Sequence, residues 1–260
     1  MKSMERELEI GREIQMGFLP LNLPTLEGWE IASYFKAAHE VAGDYYDAFK
    51  LPDGNLACVV GDVCGKGVGA ALYMSLFRTL IRVTSKTDYF YAPTESRGTS
   101  DAERLKHVIG FTNNYVAETH GHTSMFSTVF ISIVNVKENK LTYINCGNEP
   151  ALFVRSDGDI SLLWPTGPIV GIIPNADFQT GELALNENDL LLVYTDGVTD
   201  ALDSQEVAFS RQRLVDIVNA DRSHCAGLLS NLQLALDEYI GNASQFDDIT
   251  VLAIMRQASI

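Results

Sequence analysis

Basic residues are scarce in this chain: 19 lysines and arginines face 34 aspartates and glutamates, for a formal charge of −15 at pH 7. That balance speaks against general nucleic-acid binding, because neutralising backbone phosphates needs a basic footprint. It also repels an anionic substrate, so a chain of this charge that handles phosphate needs a metal to reverse the local field. Long hydrophobic runs are missing as well. No stretch approaches the roughly 20 uninterrupted apolar residues that cross a bilayer, and the N-terminus has no basic-then-apolar leader. The expectation is a cytoplasmic protein without membrane contact. Cysteine is sparse: Cys58, Cys64, Cys146 and Cys225 show no CxxC spacing and lie in or beside apolar or glycine-rich runs. Neither a zinc cluster nor a disulfide framework is suggested, and reduced thiols are expected.

What is present is ample apolar material, 46% of 260 residues, enough for one large domain or two small ones. Residues 4–18 place Met4, Leu8, Ile10, Ile14 and Phe18 on one helical face, with Pro20 and Pro24 ending the helix. Such a helix either packs on its own domain or serves as a signalling or dimer helix. β-Rich runs follow at 29–36, 45–51, 55–61, 126–136, 139–146, 150–155, 159–163, 189–195 and 249–255. Helices are expected at 69–85, at 102–118 and, in two pieces, at 211–240, with a polar loop over 86–101. Meandering strands with helices inserted in pairs predict a layered α+β fold and not alternating βαβ units.

Acidic residues recur at one kind of address, the end of an apolar strand: Asp44 in AGDYYD, Asp62 in VVGDVCGKG, Asp196 in LLLVYTDGVTDA, and Asp247 with Asp248 in QFDDITVLAI. One aspartate at a strand end is usually a turn or cap residue. Four such sites weaken that bland explanation. The PDGN turn sharpens the case, because a two-residue Asp53-Gly54 hairpin makes residues pair when their numbers sum to about 107. Asp44 and Asp62 then lie within one residue of facing each other. Facing side chains sit roughly 4.5–5.5 Å apart, and two carboxylates there repel unless a proton or a cation intervenes. A hard divalent cation with oxygen ligands resolves the conflict.

Other constellations carry less. Gly43, Gly61, Gly65, Gly67 and Gly69 crowd this region, but GDVCGKGVG has one residue too few before Gly-Lys, and no Ser or Thr after it, for a phosphate-binding P-loop. His120 and His122 read as loop residues rather than metal ligands. Ser127 and Thr128 have no base nearby in sequence. Cys64 is read as a small, partly buried residue before it is read as a redox-sensitive thiol.

Taken in order, REIQMGFLP, EVAGDYYDAF, GDVCGKGVGAAL, MFSTVFISIVN, LTYINCGNEPALF, LLVYTDGVTDA and FDDITVLAI resemble the metal-dependent protein phosphatase (PPM, type 2C) family, in its bacterial SpoIIE/RsbU-like branch. The resemblance implies two antiparallel β-sheets flanked by helices, a four-layer αββα sandwich over residues 21–260, preceded by a linker or regulatory helix at 1–20. It implies two Mn²⁺ or Mg²⁺ ions, with a third left open. Asp62 would bridge them, the Val63 carbonyl would add a ligand, Asp44 would be the acid of the first motif, and Asp196 and Asp247 would be the ligands that complete the shell of the second ion. Asp248 would either support the ligands from behind or be structural. The substrate implied is a phosphoserine or phosphothreonine protein, of the STAS-type anti-sigma factor antagonist kind.

The chain departs from the family at Ala42 and Gly69, at Cys64, where no histidine is available as general acid, at Asn148-Glu149 and in the 167–171 segment. These changes bear on specificity more than on catalysis. In this branch the leading helix links to an upstream sensor or activator, or forms a homodimer; with about 20 residues ahead of the sandwich, a sensor is expected outside this chain. Two alternatives stand beside the phosphatase: a catalytically inactive pseudophosphatase that only binds its partner, and a two-metal hydrolase of small phosphoesters or nucleotides.

Overall fold

A computed structural model describes residues 2–91 and 100–258. Ten strands form two five-stranded antiparallel sheets. The first sheet runs in the order β1 (Trp29–Lys36), β10 (Ile249–Arg256), β9 (Leu190–Tyr194), β6 (Ala151–Val154) and β7 (Ile160–Leu163). The second runs β2 (Tyr45–Lys50), β3 (Leu56–Val63), β4 (Ser127–Asn135), β5 (Lys140–Cys146) and β8 (Gly181–Ala184). The helices are α1 (Lys2–Met16), α2 (Val68–Tyr91), α3 (Asp101–His120), a short α4 (Asp196–Thr199), α5 (Ser210–Ala220) and α6 (Cys225–Ile240).

The strands read as nearly unbroken apolar runs because both faces of each sheet are covered. Side chains alternate across a pleated strand. On β3, Leu56, Cys58 and Val60 enter the layer between the sheets, where they join Phe130, Phe153, Leu191 and Leu252. Ala57, Val59 and Val63 point the other way, to Met74, Phe77 and Ile81 of α2 and Leu105 and Ile109 of α3. On the far side, Leu190, Leu192 and Val251 meet Leu214 of α5 and Leu228, Leu232 and Leu236 of α6. Three apolar layers separate four structural ones, and the αββα sandwich follows. Truncating a central side chain such as Phe153 to Ala costs about 3–5 kcal/mol at such a position.

Element boundaries match the sequence reading closely, with four differences. The β2–β3 turn is a three-residue loop over Pro52, Asp53 and Gly54: Leu51 N–H donates to Asn55 O at 2.8 Å, and Gly54 takes φ 91°, a left-handed value that glycine adopts without a Cβ clash. The register therefore pairs Tyr45 with Gly61, a sum of 106 and not 107. The polar stretch expected as a loop over 86–101 is helical to Tyr91, and Ser100 caps α3 in a reciprocal box with Glu103; residues 92–99 lie outside the described residues. The first helix ends at Met16, ahead of Gly17 and both prolines, and leaves Ile10 48% and Ile14 62% exposed, so only part of its expected face is packed. Short β8 and α4 escaped notice, since four residues give too little periodicity to read. Among the described residues no helix is long and apolar enough to cross a membrane.

Candidate functional site

The corrected register brings Asp44 and Asp62 closer than expected. Val63 N–H donates to Gly43 O at 3.3 Å, so 43 lies opposite 63 and Asp44, just ahead of β2, falls directly opposite Asp62 near the end of β3. Each carboxyl lies within the field of the other. Val63 itself is buried, its carbonyl beside Gly43. Ser127 Oγ donates to the Asp62 carbonyl at 2.9 Å, which fixes the backbone of the bridge candidate and makes Ser127 a support, not a nucleophile.

Sheet one supplies the other half. Asp196 opens α4 at the end of β9, and Asp247 precedes β10, the neighbouring strand. Gly197 makes their approach possible: a Cβ there would collide with the Asp248 carbonyl, so only glycine lets the α4 turn lie on the Asp247–Asp248 backbone. The two halves are stitched by threonines. Thr195 Oγ1 and Thr250 Oγ1 donate to Asp44 Oδ2 at 2.7 and 2.6 Å, and Thr250 N–H donates to Thr195 Oγ1 at 3.1 Å.

Electrostatics expose what the cluster lacks. Asp44, 2% exposed, is raised well above the carboxylate range, first by burial and then by the charge of Asp62. Asp62 is pushed up to about 7 by burial and by Asp196 and Asp247. Asp196 is open to solvent at its rim, yet partial desolvation, then Asp247, Asp200 and Glu149, push it to about 6. The pair at 44 and 62 titrates as a unit. Among the described residues, Lys66 is the cation that pairs with one of these four aspartates: its Nζ stands 3.0 Å from Asp247 Oδ2 and 2.7 Å from the Phe246 carbonyl. Among the described residues no group of three or more His, Cys, Asp or Glu side chains stands close enough together to hold a metal ion as placed. The donor set still fits a hard divalent ion: every group is a carboxylate or carbonyl oxygen, and the mutual repulsion is of the kind a 2+ charge removes.

The structure brings Asp44, Asp62, Asp196 and Asp247, the residues named from sequence, to one end of the sandwich, and sets beside them two threonines and Lys66, which the sequence reasoning did not name. Their signal lay in the same motifs, as the Thr before Asp-Gly, the Thr after Asp-Asp-Ile, and the Lys of Gly-Lys-Gly. Cys64 is tied to the 124–126 backbone, its Sγ accepting from Phe126 N–H at 3.3 Å. His120 packs its ring against Tyr73 and Tyr115.

The model of the family described as Stage II sporulation protein E (SpoIIE) matches residues 52–257. The chain belongs to the SpoIIE family. Asp62, Asp196 and Asp247 fall inside the matched stretch of this SpoIIE-family chain, and Asp44 precedes it. The chain is 40% identical over 262 aligned positions to Protein IcfG of Synechocystis sp., covering 96% of this chain and 41% of that protein. It is 27% identical over 200 residues to the phosphoserine phosphatase RsbU of Bacillus subtilis, covering 76% and 55% respectively. It thus spans about half the length of the curated relatives it matches. The solved SiaA-PP2C domain of Pseudomonas aeruginosa superposes with a TM-score of 0.79 over 99% of this chain and 98% of that one, at 22% identity, a likeness of fold.

Proposed function

We propose that residues 21–260 form a metal-dependent phosphatase domain that hydrolyses phosphoserine or phosphothreonine on a regulatory protein of the STAS-type anti-sigma factor antagonist kind, with residues 1–20 as its regulatory helix. The observation that carries this reading is the meeting of four aspartates at one end of the sandwich, with Asp62 opposite Asp44 and inside the fields of Asp196 and Asp247. A purely structural cluster would be expected to carry its own cations, as a buried charge is normally paired.

Asp44, Asp62, the Val63 carbonyl, Asp196 and Asp247 would hold two Mn²⁺ or Mg²⁺ ions, which when bound supply a water of lowered pKa and positive charge facing the phosphoryl oxygens. The chain's own residues do the rest. The hydroxyls of Thr195 and Thr250 both bond Asp44 Oδ2, which leaves Oδ1 for a ligand. Ser127 keeps Asp62 from retreating with its strand. Lys66, half-exposed at the rim, offers an ammonium to an incoming phosphate in a chain that is otherwise strongly acidic.

The direct test is phosphate release from a phosphorylated STAS-type protein with and without Mn²⁺, against Asp62→Asn and Asp196→Asn. Metal-dependent release that both substitutions abolish is expected. Activity unchanged in both variants would remove the two-ion assignment, and faster turnover of free nucleotides than of phosphoprotein would move the substrate class.

A further inference from the structure

The segment 37–44 crosses from β1 in one sheet to β2 in the other and belongs to neither ladder. Its backbone donors must therefore find partners elsewhere, since a buried N–H without one is costly. Two side chains provide them. Gln15 of α1 takes Ala42 in both directions, Nε2 donating to Ala42 O at 2.7 Å and Oε1 accepting from Ala42 N–H at 2.9 Å. Asp248, 8% exposed, takes the others: Oδ1 accepts from Ala38 N–H at 2.7 Å, and Oδ2 accepts from Gly43 N–H at 2.8 Å and from Asp44 N–H at 3.5 Å. Asp248 in turn donates its own N–H to Asp247 Oδ1 at 2.9 Å. One residue thus grips the backbone that presents Asp44 and orients the side chain of Asp247.

We infer that Asp248 is the positioning residue of this site: its carboxylate sets the crossover backbone so that Asp44 meets Asp62, and it ties that backbone to Asp247 across the gap between the sheets. An aspartate is an odd choice for mere structure here. It adds another negative charge to a cluster already short of cations, where an apolar residue would fill the space without repulsion. Two carboxylate oxygens, each accepting and neither donating, are what three converging N–H groups demand. Asparagine matches the shape but turns one oxygen into an NH₂ that would face a donor.

This inference rests on the metal reading above, and its test separates the two. Mn²⁺ binding would be followed through the spectroscopic signal of free Mn²⁺ for the wild-type chain, Asp248→Asn and Asp248→Ala, with thermal unfolding in chelator and kcat and KM for p-nitrophenyl phosphate at saturating Mn²⁺. Outer partners of metal ligands typically change affinity by roughly 10- to 100-fold. A weakening of that size is expected for Asp248→Ala, a smaller one for Asp248→Asn, with kcat largely recovered at saturating Mn²⁺ and KM little changed. Asp248→Asn, nearly isosteric, keeps the test alive if the alanine variant does not fold. Asp47→Asn serves as a control, since it disturbs an equally buried aspartate away from the cluster. If Mn²⁺ affinity in the folded fraction of both Asp248 variants equals that of wild type, Asp248 is structural and the inference is overturned. A wild-type chain that binds no Mn²⁺ would overturn the metal reading first and this inference with it.

Discussion

Asp44 and Asp47 stand three residues apart on one hairpin and are equally buried, 2% and 1% exposed, yet their surroundings carry opposite charge. Asp47 points from β2 to α2, where Arg82 Nη1 lies 2.6 and 2.8 Å from its two oxygens and Arg78 Nη2 lies 3.0 Å away. Asp44 points to the sheet end, where it meets two hydroxyls and a second carboxyl. The first carboxylate is neutralised by the chain and fastens a helix. The second is left for something the chain does not encode. Burial alone separates nothing here; what separates a fastening from a site is whether the compensating charge is covalently part of the protein.

The largest effect should come from breaking the unneutralised side. Asp62→Asn is expected to lower Mn²⁺-dependent phosphate release by roughly 100- to 1,000-fold, the range seen when one preorganised electrostatic group is removed from a site. In chelator the same variant should unfold at a higher temperature than wild type, because one repelling carboxylate is gone. A fall in both activity and metal-free stability would place Asp62 with Asp47, as a fastening.

The neutralised side should respond the other way. Asp47→Ala strands Arg78, whose side chain is 14% exposed, and breaking such a pair costs about 3–5 kcal/mol. For a chain of this size that is roughly 2–4 °C in the unfolding midpoint per kcal/mol. Mn²⁺ affinity of the molecules that remain folded should not change. A loss of affinity without a loss of stability would mean that α2, and not the hairpin, sets the position of Asp44.

The contrast between the two aspartates also marks what the sequence could reveal. The strands were legible because β3, β4, β9 and β10 are buried on both faces and carry near-continuous Val, Ile and Leu. The pairing of Asp44 with Asp62 was legible because a turn signal fixes register locally, and the one-residue error came from the turn being a loop of three. Placing Asp196 and Asp247 beside them needed the resemblance, since strand order across the two sheets is not a local property. Thr195, Thr250, Asp248 and Lys66 act through atoms brought together from chain segments up to 210 residues apart, as Asp248 and Ala38 are, and no spacing rule reaches that far. The fate of α1 was not legible either: the sequence left a packed helix and a signalling or dimer helix both open, and the structure buries Gln15 against Ala42 while Ile10, Ile14 and Met16 stay exposed.

A smaller effect follows from pH. Asp62 at about 7 and Asp196 at about 6 both lie above the ordinary aspartate value of 3.8, so the folded chain binds protons that the unfolded chain releases. The stability contributed by those protons is complete below about pH 4 and is lost as pH rises through about 6 and 7. Metal-free protein should therefore melt several degrees lower near pH 8 than near pH 5, and saturating Mn²⁺ should flatten or reverse that slope. A metal-free midpoint that rises over the same range would mean that the carboxylates are already compensated.

Lys66 offers the finest adjustment, because among the described residues it is the cation paired with one of the four aspartates. Its side chain is 46% exposed and that of Asp247 32%, so their ion pair is screened and worth about 1 kcal/mol at most. Lys66→Met should leave the unfolding midpoint nearly unchanged. The ammonium also occupies Asp247 Oδ2, one of the oxygens a divalent ion would use. Its removal should therefore tighten Mn²⁺ binding a few-fold while raising KM for the phosphorylated substrate, as a positive charge at the rim is lost. The two effects have opposite signs only if Lys66 plays both parts, yielding Asp247 to the metal and then facing the phosphate. Weaker Mn²⁺ binding in Lys66→Met would assign the lysine to holding Asp247 in place, and an unchanged KM would take it out of the path of the substrate.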